Sequence, residues 1–170
     1  FIGCNENSSI RHYYVVKPEK NKINSNNSTP SKEDLTYNAP GDWVESTGSS
    51  MRIASYNVPY NGGFGDLSVI RLGGDAGGVV ANVNRWRGQL NLPPVNKENI
   101  NKITFFGKGD SASYKWFKII NDNEPTSAFL CAILPEKNTT LFIKLNLPIA
   151  AITEVESEFL DFCSSIIILE

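Results

Sequence analysis

A chain of 170 residues, 41% of them hydrophobic, suffices for one domain with a substantial core and a tail. Its formal net charge of −2 offers no electrostatic case for nucleic acid as a partner. No run approaches the roughly 18–20 apolar residues of a membrane span. Three cysteines, an odd number, argue against a disulfide framework. Cys131, in an apolar run, and Cys163, in an amphipathic one, read as buried free thiols.

The third cysteine stands apart. Phe1-Ile2-Gly3-Cys4 resembles the end of a bacterial lipoprotein signal, in which a small residue precedes the cysteine that becomes acylated. Phe1 departs from that pattern, where leucine is commoner, and three residues ahead of the cysteine suggest unprocessed or recombinant material. The resemblance implies lipidation at Cys4, a lipid-anchored place in the bacterial cell envelope facing the periplasm, and a membrane partner reached through that lipid. Residues 1–38 then read as a lipobox-like start and a flexible tether, poor in apolar residues and rich in Asn, Ser and Lys. As a coil, residues 5–38 span on the order of 30 Å. A short β-prone segment at 10–16 interrupts the tether. It is either a strand for the edge of its own domain or a segment that docks on a partner by strand addition. His12, the one histidine, lies inside it, without the clustered Cys, His or carboxylate ligands a metal requires.

The folded domain is expected over 39–170, with Trp43 after a Pro40-Gly41 turn as a core anchor. Residues 51–58 and 66–72 read as a hairpin joined by a glycine-rich loop at 59–65. Gly73, Gly74, Gly77 and Gly78 then open into a helix that should stop near 89–92, because Pro93 and Pro94 follow. Residues 96–102 suggest a short helix, and 103–106, 113–120, 128–134 and 140–147 four successive strands. The run 128–134 is apolar throughout, as in a central strand covered on both faces. Over 140–147, Leu141, Ile143, Leu145 and Leu147 alternate with Phe142, Lys144 and Asn146, the pattern of a half-buried strand. Pro148 introduces a helix with Ile152, Val155, Phe159, Phe162, Cys163 and Ile166 at helical spacing, and 166–169 suits a final short strand.

The glycine-rich turn and its helix are the least generic stretch. Asp75, just before the helix, can accept bonds from free amide hydrogens. Glycines ahead of a helix can also cradle phosphate, but Gly-Gly-Asp-Ala-Gly-Gly lacks the Lys-Ser/Thr of a P-loop and the spacing of a dinucleotide fingerprint. Asp75 would besides repel an anion. On a helical wheel Val79, Val80, Val83, Trp86 and Leu90 share one side, and Asn82, Arg85 and Gln89 are expected together on the opposite side. That polar group is either a solvated face or a contact face for a partner, since amides and an arginine make directional bonds. Arg87 lies at the edge of the apolar side and must snorkel or find a carboxylate or carbonyl. Asp75, Asn82, Arg85, Arg87 and Gln89 are therefore the candidate partner or ligand contacts.

The elements run β-β-α-β-β-β-β-α, an α+β chain with one antiparallel-rich sheet. The stretches Ser50-Met51-Arg52-Ile53-Ala54-Ser55-Tyr56, Asp66-Leu67-Ser68-Val69, Gly74-Asp75-Ala76-Gly77-Gly78 and Ala81-Asn82-Val83-Asn84-Arg85-Trp86-Arg87-Gly88-Gln89-Leu90 resemble a family of bacterial envelope proteins, many with lipoprotein signals, over roughly 43–169. At the level of fold order, the layout is also similar to the α/β/α sandwich of PsbP-type photosystem II extrinsic proteins. PsbP-like proteins are mostly accessory or assembly factors of membrane complexes, so the resemblance implies a binding role. It transfers no catalytic residue, cofactor or metal.

A nucleophile–base constellation is improbable with the one histidine in the tail, and nothing in the sequence places Asp66, Asp75 and Asp110 together. The leading expectation is a non-catalytic accessory or assembly subunit of a membrane protein complex. The alternative is a small-ligand-binding periplasmic domain, less so a hydrolase. A deep pocket lined by Trp86, Arg87 and Tyr56 would favour a ligand, a flat surface a protein.

Overall fold

The computed structural model describes residues 35–169; Cys4, His12, the segment 10–16 and the tether up to residue 34 lie outside them. Its strands are β1 (Leu35–Thr36), β2 (Val44–Glu45), β3 (Arg52–Tyr60), β4 (Gly63–Gly73), β5 (Phe105–Lys108), β6 (Ser113–Ile120), β7 (Ala128–Pro135), β8 (Thr139–Leu147) and β9 (Ile167–Ile168). Its helices are α1 (Gly78–Gln89), α2 (Lys97–Lys102) and α3 (Ile152–Ser164), the last preceded by a 3₁₀ turn at Ile149–Ala151. Seven strands form one antiparallel sheet in the order β2-β3-β4-β8-β7-β6-β5, and β1 pairs with β9 beside it. After β4 the chain passes through α1 and α2 to the far edge. It then meanders back through β5, β6 and β7 and closes with β8 against β4.

Strand alternation divides the core into two clusters. Ala54, Tyr56, Leu67, Val69, Leu130, Ile143 and Leu145 point to one side, where α3 inserts Val155, Phe159 and Phe162. Phe117, Phe129, Cys131, Ile133 and Phe142 point to the other, beneath Val83, Trp86 and Leu90 of α1 and Ile100 of α2. The result is the α/β/α sandwich expected from the element order. Trp43 is a core residue as expected. It packs 5.2 Å from Phe162 and 5.9 Å from Tyr56, centroid to centroid, and its indole N–H donates to Glu158 Oε2 at 3.2 Å.

Three boundaries and one burial pattern differ from expectation for identifiable reasons. The 59–65 stretch is not a loop: β3 and β4 run on until Tyr60 faces Gly63, and only Asn61 and Gly62 turn, with Gly62 at φ +111°. An Asn-Gly pair is a two-residue hairpin signal that shortens the connection. The strand expected at 103–106 begins two residues later. Ile103 instead caps α2, and the Thr104 hydroxyl donates to Ile100 O at 2.7 Å. In β8, Phe142 is buried rather than solvated, because α1 covers that half of the sheet, while Lys144 and Asn146 stay half-buried. Packed structure also reaches back ahead of Ala39, since Leu35 is buried and pairs with Ile168.

Candidate functional site

The glycine-rich turn is built from four left-handed positions, interrupted only at Asp75: Gly74 at φ +59°, Ala76 at +48°, Gly77 at +88° and Gly78 at +78°. Glycine adopts these angles without steric penalty, and Ala76 does so at a cost of about 1–2 kcal/mol. Asp75 binds its own turn: its Oδ1 accepts from Gly77 N–H at 3.1 Å, and its carbonyl from Gly78 N–H at 2.8 Å. The carboxylate and carbonyl of Asp75 therefore occupy two of the amide hydrogens that an incoming phosphate would need. The turn is fastened to the end of the sheet by Gly74 N–H to Asn138 O at 2.8 Å and the Thr140 hydroxyl to Gly74 O at 2.7 Å.

The two flanks of α1 do different work. On one, the Asn84 side chain exchanges two bonds of 2.9 Å with the Val95 backbone, and Arg87 Nε donates to Pro93 O at 3.0 Å. Arg87 has thus found the carbonyl partner its position demanded, and it holds the returning chain. On the other flank, Asn82 corrects the sequence expectation. It is 3% exposed, donating to Ala76 O at 3.0 Å and Gly78 O at 2.8 Å and accepting from Arg85 Nη1 at 2.6 Å. The reason is angular: at 100° per residue Asn82 lies only about 40° from Trp86, so its group borders the buried side rather than opposing it. Asn82 is an internal pin of the turn, and Arg85 and Gln89 are what this flank exposes.

That flank opens onto a polar strip of the sheet. α1 covers Phe117 and Phe142, with Trp86 6.4 and 6.3 Å from their rings. The β3–β4 half of the same face carries Arg52, Ser55, Asn57, Asp66 and Ser68, side by side in register with Lys144 and Asn146 of β8. Arg52 grips Asp66 through two bonds, at 2.7 and 2.9 Å. Those bonds hold the Asp66 carboxyl below the ordinary carboxylate range and raise Arg52. Lys144 Nζ donates to Gln89 Oε1 at 2.9 Å and lies 4.6 Å from the centre of the Phe129 ring. Its burial pushes the ammonium pKa down. Arg85, Gln89, Lys144, Asp66 and Arg52 thus make one band of fixed donors and acceptors across α1, β8, β4 and β3.

Tyr56 belongs to the α3-side cluster and Trp86 to the α1-side cluster, so they line no common pocket with Arg87. A cleft of about 930 Å³ lies elsewhere, between Arg71, Glu136, Asn138 and Ile168. Arg71 there pairs with Glu136 at 3.2 Å, both nearly buried, and the Thr139 hydroxyl donates to Glu136 as well. Arg52, Ser68 and Lys144 were not among the sequence candidates. Their signal was the polar phase of strand alternation, visible at Lys144 and Asn146 but interpretable only once β4 lay beside β8.

No family model matches the chain, and no curated protein matches it. Among solved structures it is similar to a crystal structure from Bacteroides thetaiotaomicron VPI-5482 at 14% identity and a TM-score of 0.54, covering 83% of this chain. The match spans 47% of the Bacteroides protein, so this chain corresponds to about half its length. It is also similar to the solution structure of cyanobacterial PsbP (CyanoP) from Synechocystis sp. PCC 6803, at 14% identity and a TM-score of 0.52, covering 81% of this chain and 88% of that one. These likenesses establish a PsbP-like fold.

Proposed function

We propose that this chain is a non-catalytic accessory module, tethered through an acylated Cys4 to the outer face of a bacterial membrane, that binds a protein of a membrane complex. The observation that carries the reading is the band of Arg85, Gln89, Lys144, Asp66 and Arg52. Arg52 and Asp66 hold each other, Lys144 holds Gln89, and Asn82 holds Arg85 before any partner arrives, which lowers the ordering cost of recognition. Fixed ionic and amide groups on an open sheet face suit a polar protein surface, where bidentate arginine and amide bonds give orientation. The lipobox-like start and the long polar tether support the proposed location, and the PsbP-like fold is compatible with an accessory role without assigning one.

The tether is tested in the native bacterium with an alkyne fatty acid, comparing the natural chain with Cys4→Ser. The reading requires acyl incorporation and membrane retention that the substitution abolishes. Equal labelling of both, or a natural chain recovered only from the cytosol, would refute it.

A further inference from the structure

A second surface lies on the same face of the sheet but at its opposite end. Between the first turn of α1, α2 and the β5–β6 edge is a cleft of about 280 Å³. Val79, Val80 and Ile100 form its apolar wall and Phe106, 75% exposed, its lip. Asn101, Thr104 and two lysines, Lys97 and Lys115, complete the lining. Lys102, also in α2, pairs with Glu98 at 2.8 Å. Among the described residues neither Lys97 nor Lys115 has a carboxylate partner. Register explains the arrangement. Phe106 pairs with Lys115 across β5 and β6, so ring and ammonium rise on the α1 side of the sheet, while Phe105 goes to the other side and stacks on Trp116 at 4.4 Å.

We propose that this cleft binds a small amphiphilic carboxylate, its apolar body between Val79, Val80 and Phe106 and its carboxylate against Lys97 and Lys115. Charge selects the sign of the ligand. Two unpaired cations beside an uncovered apolar wall satisfy an anion with a hydrocarbon body better than a neutral lipid or a bare anion. Volume limits the body to a short chain or single ring, since the cleft falls below the ~300–1,000 Å³ of drug-sized ligand sites. The site shares no residue with the band beside Gln89, so it stands or falls independently of the proposed partner surface.

Titration of the full chain with octanoate, followed by calorimetry and by methyl NMR shifts of Val79 and Val80, tests the proposal. Saturable binding is expected, about fifteen-fold tighter than hexanoate, from about fourfold per buried methylene. Lys97→Glu and Lys115→Glu should each weaken it about fivefold, the scale of a solvent-accessible ion pair, and Val80→Trp should abolish it by filling the cleft. Circular dichroism confirms that each variant is folded. The proposal is overturned by absence of saturable binding, by octanol binding as tightly as octanoate, or by affinity that the lysine substitutions leave unchanged. Binding to phosphatidylglycerol vesicles without binding of monomeric octanoate would also overturn it, making the surface a membrane contact instead.

Discussion

Replacing Asn82 by alanine tests whether the glycine-rich turn is held from inside the helix. The side chain donates two bonds to carbonyls of the turn and accepts one from Arg85. Neutral bonds contribute about 1 kcal/mol each and the exposed arginine adds less than its usual share, so Asn82→Ala should cost about 2–3 kcal/mol. With a urea m-value of about 2 kcal/mol per molar, the unfolding midpoint falls by about 1 M. Amide exchange at Gly77 and Gly78 should accelerate in the same variant, because the turn loses its anchor before the sheet does. Asn82→Asp is the sharper companion. At neutral pH the new carboxylate faces Ala76 O and Gly78 O with no hydrogen to donate, and only Arg85 opposes that penalty. The folded state therefore raises the pKa of this group, so the penalty is present above the folded pKa and relieved as pH falls through it. The deficit of Asn82→Asp relative to the natural protein should accordingly narrow on acidification. Asn82→Ala within about 0.5 kcal/mol of the natural stability, the range of surface substitutions, would refute the assignment of Asn82 as an internal pin.

Other consequences are independent of that turn. Asp66→Asn should cost no more than about 1 kcal/mol, because the Arg52 pair is partly solvated. Arg52 lowers the folded pKa of Asp66, so its contribution is complete above the ordinary carboxylate range and lost as pH falls through the lower folded value. Denaturation at a series of pH values should show that acid-side loss in the natural protein and less of it in Asp66→Asn. A Cβ on Gly107 would lie 2.1 Å from Tyr114 Cζ, displacing the ring whose hydroxyl lies 2.9 Å from Ser164 Oγ. Gly107→Ala should therefore cost about 1–3 kcal/mol, an overpacking penalty, and an unchanged melting temperature would contradict the geometry. Burial raises the thiol pKa of both Cys131 and Cys163. Iodoacetamide mapped by peptide mass spectrometry should leave both unmodified in the native protein and label both in denaturant.

Much of the fold was legible because burial imposes periodicity. The apolar run at β7, the alternation of β8 and the helical spacing of Phe159, Phe162 and Cys163 each locate one element and its covered side. Misreadings arose where one residue served two constraints. Asn-Gly at 61 and 62 reads as part of a glycine-rich loop, although its turn chemistry lets both strands run to the tip. Ile103 has strand propensity but ends a helix whose last carbonyls need partners. Asn82 carries an amide that composition assigns to solvent, yet the left-handed backbone beside it supplies carbonyls only a buried amide can reach. The polar band was least legible of all, since Arg52, Asp66 and Lys144 come from three strands and meet only through the closure of β8 on β4.

The central claim, that the α1 flank and the neighbouring sheet strip form a protein-binding surface, is tested most directly by photocrosslinking in native membranes. A diazirine residue is placed at Arg85 or Gln89, with Ser157 on the exposed side of α3 as the control. The same single protein adduct is expected from positions 85 and 89, absent from 157, and lost when Lys144→Glu is added. No adduct from either α1 position, or an equal one from the control, would contradict the account.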